Sequence, residues 1–294
     1  MVQRDRQKDG YVAKSNRAET AARAARLRAE AARKDRQRTQ VIAAAVAVVV
    51  VVIAVVLGVV ISNRPKDAPA ASGGAAALAT LEKLPATVYD AAAAPAPAQA
   101  PAKVEGGTPL TQDGKPKVLY VGAEYCPFCA MERWVLIGAL SRFGTFSGIT
   151  ETTSSSTDVH PDTPTFSFKD ATYTSDVVAF QAIETQDREG KPLQTLDGEN
   201  LALFQKFNPG GGIPWISYGG THATSGATVD ANAFEGKTYD QIIAGIKDPS
   251  SDIGKTVTPA INLITAQICE QTKGQPSNVC TSQGVMSASV LLKR

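Results

Sequence analysis

The pattern of apolar and polar positions divides the chain into parts of very different character. The longest apolar run extends from Val41 to Ile61 and contains 21 residues without a charge. A helix of this length crosses the hydrocarbon core of a bilayer. We therefore predict a transmembrane helix over residues 41–62. A buried helix of a soluble protein is the alternative interpretation of this run.

Charge is distributed unevenly around the apolar run. Residues 1–40 contain 12 Lys or Arg and 5 Asp or Glu, whereas only Arg64 and Lys66 follow the run closely. Because the more basic flank stays inside, we predict a basic cytoplasmic tail and an extracytoplasmic C-terminal part, in a single-pass protein of the cell membrane. A cleaved signal peptide is the alternative, although its basic and apolar regions are usually shorter. The tail is expected to contact lipid headgroups and not nucleic acid, since no aromatic residues are interleaved with its charges.

Residues 63–116 differ again, because Ala and Pro dominate, most clearly between Ala91 and Pro101. Such a segment buries too little apolar surface to offset the entropy of ordering it. We predict an extended or disordered linker over residues 63–116. The amphipathic stretch Leu78–Leu84 is the part that would pack on a folded domain.

The remainder, residues 117–294, alternates short apolar runs with helical patterns, which predicts a folded domain of the α/β class. The predicted strands are Val118–Val121, a pair formed by Thr165–Phe168 and Val177–Glu184, and a hairpin formed by Trp215–Tyr218 and Ala223–Val229. The predicted helices are Pro127–Phe143, Asn200–Phe207, Tyr239–Lys247 and Pro259–Thr272, and a Ser/Thr-rich loop is predicted over Thr150–Thr157.

The candidate chemistry lies in Cys126-Pro-Phe-Cys129, between the first strand and the first helix. Pro127 suits the first helical position, so Cys126 would lie at the helix N-terminus, where free N–H groups and the helix dipole stabilise a thiolate. Cys126 is therefore the predicted nucleophile, and Cys129, one turn later, the predicted resolving thiol. A zinc site and an inert structural disulfide are the alternatives. We expect no metal, since the two histidines have no ligand-like spacing, and no cofactor.

Two further features accompany the cysteine pair. Ile213-Pro214 follows a glycine-rich turn and precedes a β-prone run, a position where proline does not break a sheet; an ordinary turn proline is the alternative. Glu124 precedes Cys126 by two residues, so it either assists proton transfer to Cys129 or is simply solvated.

The order of these features resembles the thioredoxin-like fold: a strand, then Cys-Pro-Phe-Cys and a helix, and later an Ile-Pro before another strand. The resemblance implies that Pro214 is a cis-proline facing the cysteines and that the backbone of Ile213 pairs with a substrate strand. The 85-residue distance from Cys129 to Pro214 exceeds that of a minimal thioredoxin. We therefore expect an insertion between the cysteine helix and the cis-proline strand that covers or shapes the substrate groove.

A narrower resemblance is to the DUF929 family, a group of thioredoxin-like proteins from actinobacteria and archaea. It is carried by three passages, Glu124–Ala130, Phe166–Phe168 with Thr172–Ser175, and Phe207–Pro214. This resemblance implies mainly a bacterial, membrane-tethered context.

The second cysteine pair, Cys269 and Cys280, flanks a short loop with a helix-ending glycine. We predict a structural disulfide, which would stabilise the fold by about 2–3 kcal/mol in the loop-entropy model. A second shuttling redox pair is the alternative.

These features predict a membrane-anchored extracytoplasmic thiol–disulfide oxidoreductase acting on cysteines of exported client proteins. A membrane quinone-linked thiol oxidoreductase is the expected recycling partner. Oxidase, isomerase and reductase all remain open, because the Pro-Phe dipeptide carries no charge that would set the potential. The alternative function is a thioredoxin-like module that binds peptides or acts as a scaffold and contains a static disulfide.

Overall fold

The computed structural model describes residues 73–92 and 100–292. The predicted tail (1–40) and transmembrane helix (41–62) lie outside the described residues, as does part of the predicted linker. Within the described ranges, no helix is both long and apolar enough to cross a bilayer.

The described part of the chain is a mixed α/β structure, as predicted. The strands are β1 (Ala102–Lys103), β2 (Thr111–Gln112), β3 (Lys115–Gly122), β4 (Gly144–Ser147), β5 (Thr150–Thr153), β6 (Pro164–Ser167), β7 (Thr172–Ser175), β8 (Ala179–Glu184), β9 (Trp215–Tyr218) and β10 (His222–Ser225). The helices are α1 (Gly74–Leu81), α2 (Ala86–Asp90), α3 (Pro127–Leu140), α4 (Gly198–Phe207), α5 (Tyr239–Lys247), α6 (Asp252–Gln271), α7 (Ser277–Cys280) and α8 (Gln283–Leu292), with a 3₁₀ turn at Ala231–Phe234.

Strand β3 is the centre of the main sheet. It runs parallel to β8 and antiparallel to β9, and β10 and then β1 continue the sheet beyond β9. Strand β2 forms a hairpin with the first residues of β3. Two smaller two-stranded sheets, β4 with β7 and β5 with β6, lie in the chain between α3 and β8.

The side chains of β3 alternate between two apolar clusters, as the period of a strand requires. Val118 and Tyr120 join the large cluster with residues of α3 and α6. Leu119 and Val121 join a smaller cluster with Trp215 and residues of α4. Because both faces are covered, β3 appears in the sequence as a continuous apolar run.

Over residues 74–90 the predicted linker is largely helical and not extended, and its amphipathic stretch Leu78–Leu84 packs on the domain as expected. Helices α1 and α2 pack on the domain: Leu81 is fully buried in the large cluster, and the guanidinium carbon of Arg142 lies 4.3 Å from the centre of the Tyr89 ring. The Asn262 side-chain amide also donates a hydrogen bond of 2.7 Å to the Tyr89 carbonyl. The segment has few large apolar residues, but they are spaced to meet α3 and α6.

Two strand predictions also need correction. The runs Thr165–Phe168 and Val177–Glu184 do not pair with each other, because β6 pairs with β5 and β8 pairs with β3. The predicted Ser/Thr-rich loop contains strand β5 at Thr150–Thr153. Alternation assigns a residue to a face of a sheet but does not select the partner strand.

Strand β8 also changes the predicted insertion, because this strand belongs to the main sheet. The extra chain between α3 and β9 is therefore divided into two segments. The first contains β4 to β7 and precedes β8, and the second contains α4 and follows it.

The C-terminal helices close the large cluster. Helix α5 has the predicted bounds, whereas α6 begins seven residues before Pro259, with the Ser251 hydroxyl accepting the Gly254 N–H at 2.9 Å. Cys269 at the end of α6 is disulfide-bonded to Cys280 in α7, with 5.6 Å between their Cα atoms.

Candidate functional site

The end of β3 and the start of α3 position the cysteine pair. Strand β3 ends at Gly122, and Cys126 is the N-cap residue of α3. Its Sγ accepts a hydrogen bond of 3.3 Å from the Cys129 N–H. Pro127 occupies the first helical turn, where a missing N–H costs no hydrogen bond. The cap therefore holds the Cys126 sulfur over the N-terminus of α3.

The two thiols differ in burial and in acidity. The pKa of Cys126 is lowered below its usual value by the interaction with the Cys129 side chain, by the backbone N–H groups of the first turn and by the Arg133 charge. Burial acts in the opposite direction and raises it. Burial raises the pKa of Cys129 well above its usual range, and the neighbouring Cys126 raises it further. Cys126 is 5% exposed and Cys129 is 0% exposed. Cys126 is therefore the thiol that ionises first and lies nearer to solvent.

The predicted proline lies beside the cysteines. The Ile213–Pro214 peptide bond is cis, and the Cys126 Sγ donates a hydrogen bond of 3.8 Å to the Ile213 carbonyl oxygen. The Pro214 carbonyl accepts the Gly226 N–H at 2.8 Å. The structure thus brings together Cys126, Cys129, Ile213 and Pro214.

Glu124 is half-buried in the turn that joins β3 to α3. Its carboxylate accepts a short hydrogen bond from the Ser167 hydroxyl, and its backbone N–H donates to the Gln186 carbonyl at 2.9 Å. These bonds tie the turn before Cys126 to β6 and to the chain after β8.

Sequence reasoning missed a buried ion pair beneath the site. Arg133 in α3 and Glu184 in β8 are both fully buried. The Arg133 Nε donates to one carboxylate oxygen at 2.8 Å and its Nη2 to the other at 2.7 Å. Nη2 also donates to the Ala123 carbonyl at 2.9 Å. The available signal was the pair of charges, Glu132-Arg133, within an otherwise apolar helix.

Glu132 is the second buried charge of α3. Its carboxylate accepts hydrogen bonds from the Thr228 N–H at 2.7 Å and from the Thr228 hydroxyl at 2.9 Å. Burial raises its pKa to about 7, although the Thr228 bonds act in the opposite direction. These bonds fasten the loop after β10 to α3.

The first extra segment lines the surface near the cysteines. The Phe128 side chain, between the cysteines, is 37% exposed and makes an edge-to-face contact with the His160 ring at 5.7 Å. The Ser155 N–H donates to the Tyr125 carbonyl at 2.8 Å. A cavity of about 400 Å³ lies there, and its lining includes Tyr125, Ser155, Asp158, Val159, Gln186 and Arg188. Across residues 73–92 and 100–292, no group of three or more His, Cys, Asp or Glu is arranged to hold a metal ion.

Comparison with family models gives a match within the described part of the chain. Residues 101–209 match the family described as "Domain of unknown function (DUF929)". No curated protein and no solved structure matches the chain. The matched range includes two of the three passages that carry the resemblance, Glu124–Ala130 and Phe166–Ser175, together with the start of the third. Over residues 101–209, the chain is similar to the DUF929 family.

Proposed function

We propose that the protein is a thiol–disulfide oxidoreductase whose reactive pair is Cys126 and Cys129. The observation that carries the proposal is the environment of the Cys126 sulfur. It lies at the N-terminus of α3, accepts the Cys129 N–H and contacts the Ile213 carbonyl. A thiol with a lowered pKa and a second thiol in the next turn are the parts that disulfide exchange needs.

The topology supports a thioredoxin-like domain. In the strand order β10-β9-β3-β8, the strand before the cysteines is central, β8 is parallel to it, and the strand after Pro214 lies antiparallel beside it. The cysteines lie between β3 and α3, and Pro214 directly precedes β9. In this proposal the backbone of Ile213 pairs with an extended client segment, and the segment from β4 to β7 shapes the neighbouring surface.

The proposed reaction in the oxidising direction consists of two exchanges. A client thiolate attacks Cys126 Sγ, a client–Cys126 disulfide forms, and Cys129 leaves as a thiolate. A second client thiolate attacks the client sulfur of this mixed disulfide, and Cys126 leaves as a thiolate. The client has then lost two electrons and gained a disulfide, while both protein thiolates take up protons from solvent. In the reducing direction Cys126 attacks a client disulfide and Cys129 resolves the intermediate.

The proposed location is the outer side of the cell membrane. It is supported by the 21-residue apolar run and the basic residues before it. Clients would be cysteine-containing exported proteins, since disulfides persist in oxidising compartments. A quinone-linked thiol oxidoreductase in the membrane would accept the two electrons and restore the Cys126–Cys129 bond.

Trapping of client proteins tests the proposal. The full chain with Cys129→Ser keeps the nucleophile and loses the resolving thiol, so mixed disulfides with clients should accumulate on non-reducing gels and vanish with reductant. The matched control Cys126→Ser should trap none. If the two variants behave alike, a static peptide-binding or scaffold module becomes the better account.

A further inference from the structure

A polar group lies within the apolar core on the inner side of the cysteine pair. It consists of Tyr120 from β3, Arg133 from α3 and Glu184 from β8, and all three side chains are fully buried. Arg133 follows Cys129 by four residues, so the two side chains occupy the same face of α3. The Arg133 guanidinium carbon lies 5.9 Å from the centre of the Tyr120 ring. We call these three residues the polar floor.

Two donors of the polar floor have no acceptor in the described structure. They are the Tyr120 hydroxyl and the Arg133 Nη1. A buried donor without a partner costs about 1–3 kcal/mol, so such groups call for an explanation. Gly122 makes the room for this arrangement, because a Cβ atom there would lie 2.1 Å from the Tyr120 hydroxyl oxygen. The fold thus keeps two buried donors unused, and one of them belongs to the helix face that carries Cys129.

Disulfide exchange creates a buried anion at Cys129. In both directions of the proposed reaction Cys129 becomes a thiolate, as the leaving group in oxidation and as the nucleophile in reduction. Cys129 has no exposed surface, so water does not solvate its charge. An anion buried in this way needs hydrogen-bond donors or a nearby cation.

The polar floor supplies both a cation and hydrogen-bond donors for this thiolate. The Arg133 charge lowers the pKa of each thiol. Glu184 fixes the guanidinium through two hydrogen bonds, while the third, to the Ala123 carbonyl, ties it to the turn before Cys126. The unpartnered Tyr120 hydroxyl adds a donor without adding a charge.

We propose that Tyr120 and Arg133, the latter held by Glu184, are positioning residues that stabilise the Cys129 thiolate while Cys126 is bonded to a client sulfur. This inference rests on the proposed function and names the residues that make its second thiol usable. A purely structural ion pair would make a different prediction, since removal of both charges would then leave the thiol chemistry unchanged.

The test isolates the step in which Cys129 acts. The reduced full chain, with its Cys269–Cys280 bond intact, is mixed with a single equivalent of the aromatic disulfide dithiobis(nitrobenzoate), so that no reagent remains for a separate reaction with Cys129. Cys126 attacks the reagent and releases one coloured thionitrobenzoate. Cys129 then attacks the Cys126 sulfur, re-forms the Cys126–Cys129 bond and releases the second. The rate of the second release, followed over a range of pH, reports how readily Cys129 ionises.

Two variants probe the polar floor without leaving a lone buried charge. Tyr120→Phe removes only the unpartnered hydroxyl, and Arg133→Met with Glu184→Leu removes the whole ion pair. Each should slow the second release about tenfold at neutral pH and move its pH midpoint upward by about one unit, with a smaller effect on the first release. The matched control Tyr218→Phe removes a buried hydroxyl whose neighbour is Thr224, and it should leave both rates unchanged.

The outcomes separate this inference from the proposed function. If the wild-type chain releases two thionitrobenzoates and both variants do so at wild-type rates, the inference is overturned and the proposed function stands. If the wild-type chain releases only one, Cys129 does not resolve disulfides, and both the proposed function and the inference fail.

Discussion

Arg133 and Glu184 meet in the core through two parallel hydrogen bonds of 2.8 and 2.7 Å, and neither side chain has any exposed surface. Removal of one partner leaves an uncompensated buried charge, whereas removal of both does not. Glu184→Gln should therefore lower the free energy of unfolding by about 3–5 kcal/mol. The double variant Arg133→Met/Glu184→Leu should lose clearly less. Urea denaturation of the full-length variants measures both, and equal losses would contradict this view of the pair.

Gly122 is expected to tolerate no side chain. A Cβ atom there would meet the Tyr120 hydroxyl oxygen at 2.1 Å, so Gly122→Ala should force the ring to move and destabilise the fold by about 1–3 kcal/mol. Gly210→Ala is the matched control, because nothing lies within 4 Å of its added atom. A thermal or urea unfolding experiment that finds the two variants equally stable would show that Tyr120 is not held as described.

Because of Glu132, the free energy of unfolding should fall as pH rises. Its pKa is raised from 4.5 to about 7 in the folded chain, so between these values the folded state binds more protons than the unfolded state. The stabilising effect of the neutral acid is complete below pH 4.5 and is lost as pH rises through about 7. Glu132→Gln should remove this component, which amounts to at most about 3 kcal/mol.

The prediction is checked by the difference between the unfolding free energies of wild type and Glu132→Gln. It is measured from about pH 4 to 8, a range that brackets the pKa of Glu132 in the unfolded and in the folded state. Curves that run parallel across the whole range would mean that Glu132 does not titrate in this way.

The Cys269–Cys280 disulfide is expected to be structural. It joins the end of α6 to α7 and closes a loop of sequence separation 11. Replacement of both cysteines by serine should cost about 2–3 kcal/mol of stability. The release of thionitrobenzoate by Cys126 and Cys129 should keep its wild-type rates. A large change in those rates at unchanged stability would instead favour a second shuttling redox pair.

Much of the local structure could be predicted from the sequence. Apolar patterns locate the middle of β3 and both ends of α5, and the position of Cys126 before Pro127 indicates the N-terminus of α3. These features depend on residues close together in the chain, where propensity and period are informative.

Features that depend on pairing between distant segments could not be predicted. Glu184 meets Arg133 because β8 lies parallel to β3, and no pattern in the sequence selects that partner strand. The sequence predicts that Leu78–Leu84 packs on the domain, but the contacts of Leu81 and Tyr89 depend on where α3 and α6 lie. An Ala-rich composition therefore indicated a linker where the chain is folded.

The reduction potential of the Cys126–Cys129 pair tests the central claim most directly. The full chain is equilibrated with glutathione buffers, and the fraction of oxidised pair is determined by thiol labelling and mass analysis. The account predicts a reducible pair with a potential above about −270 mV, and one between about −120 and −200 mV would support donation of disulfides to exported clients. A pair that stays oxidised below about −300 mV would behave as a structural disulfide and would contradict the proposed function.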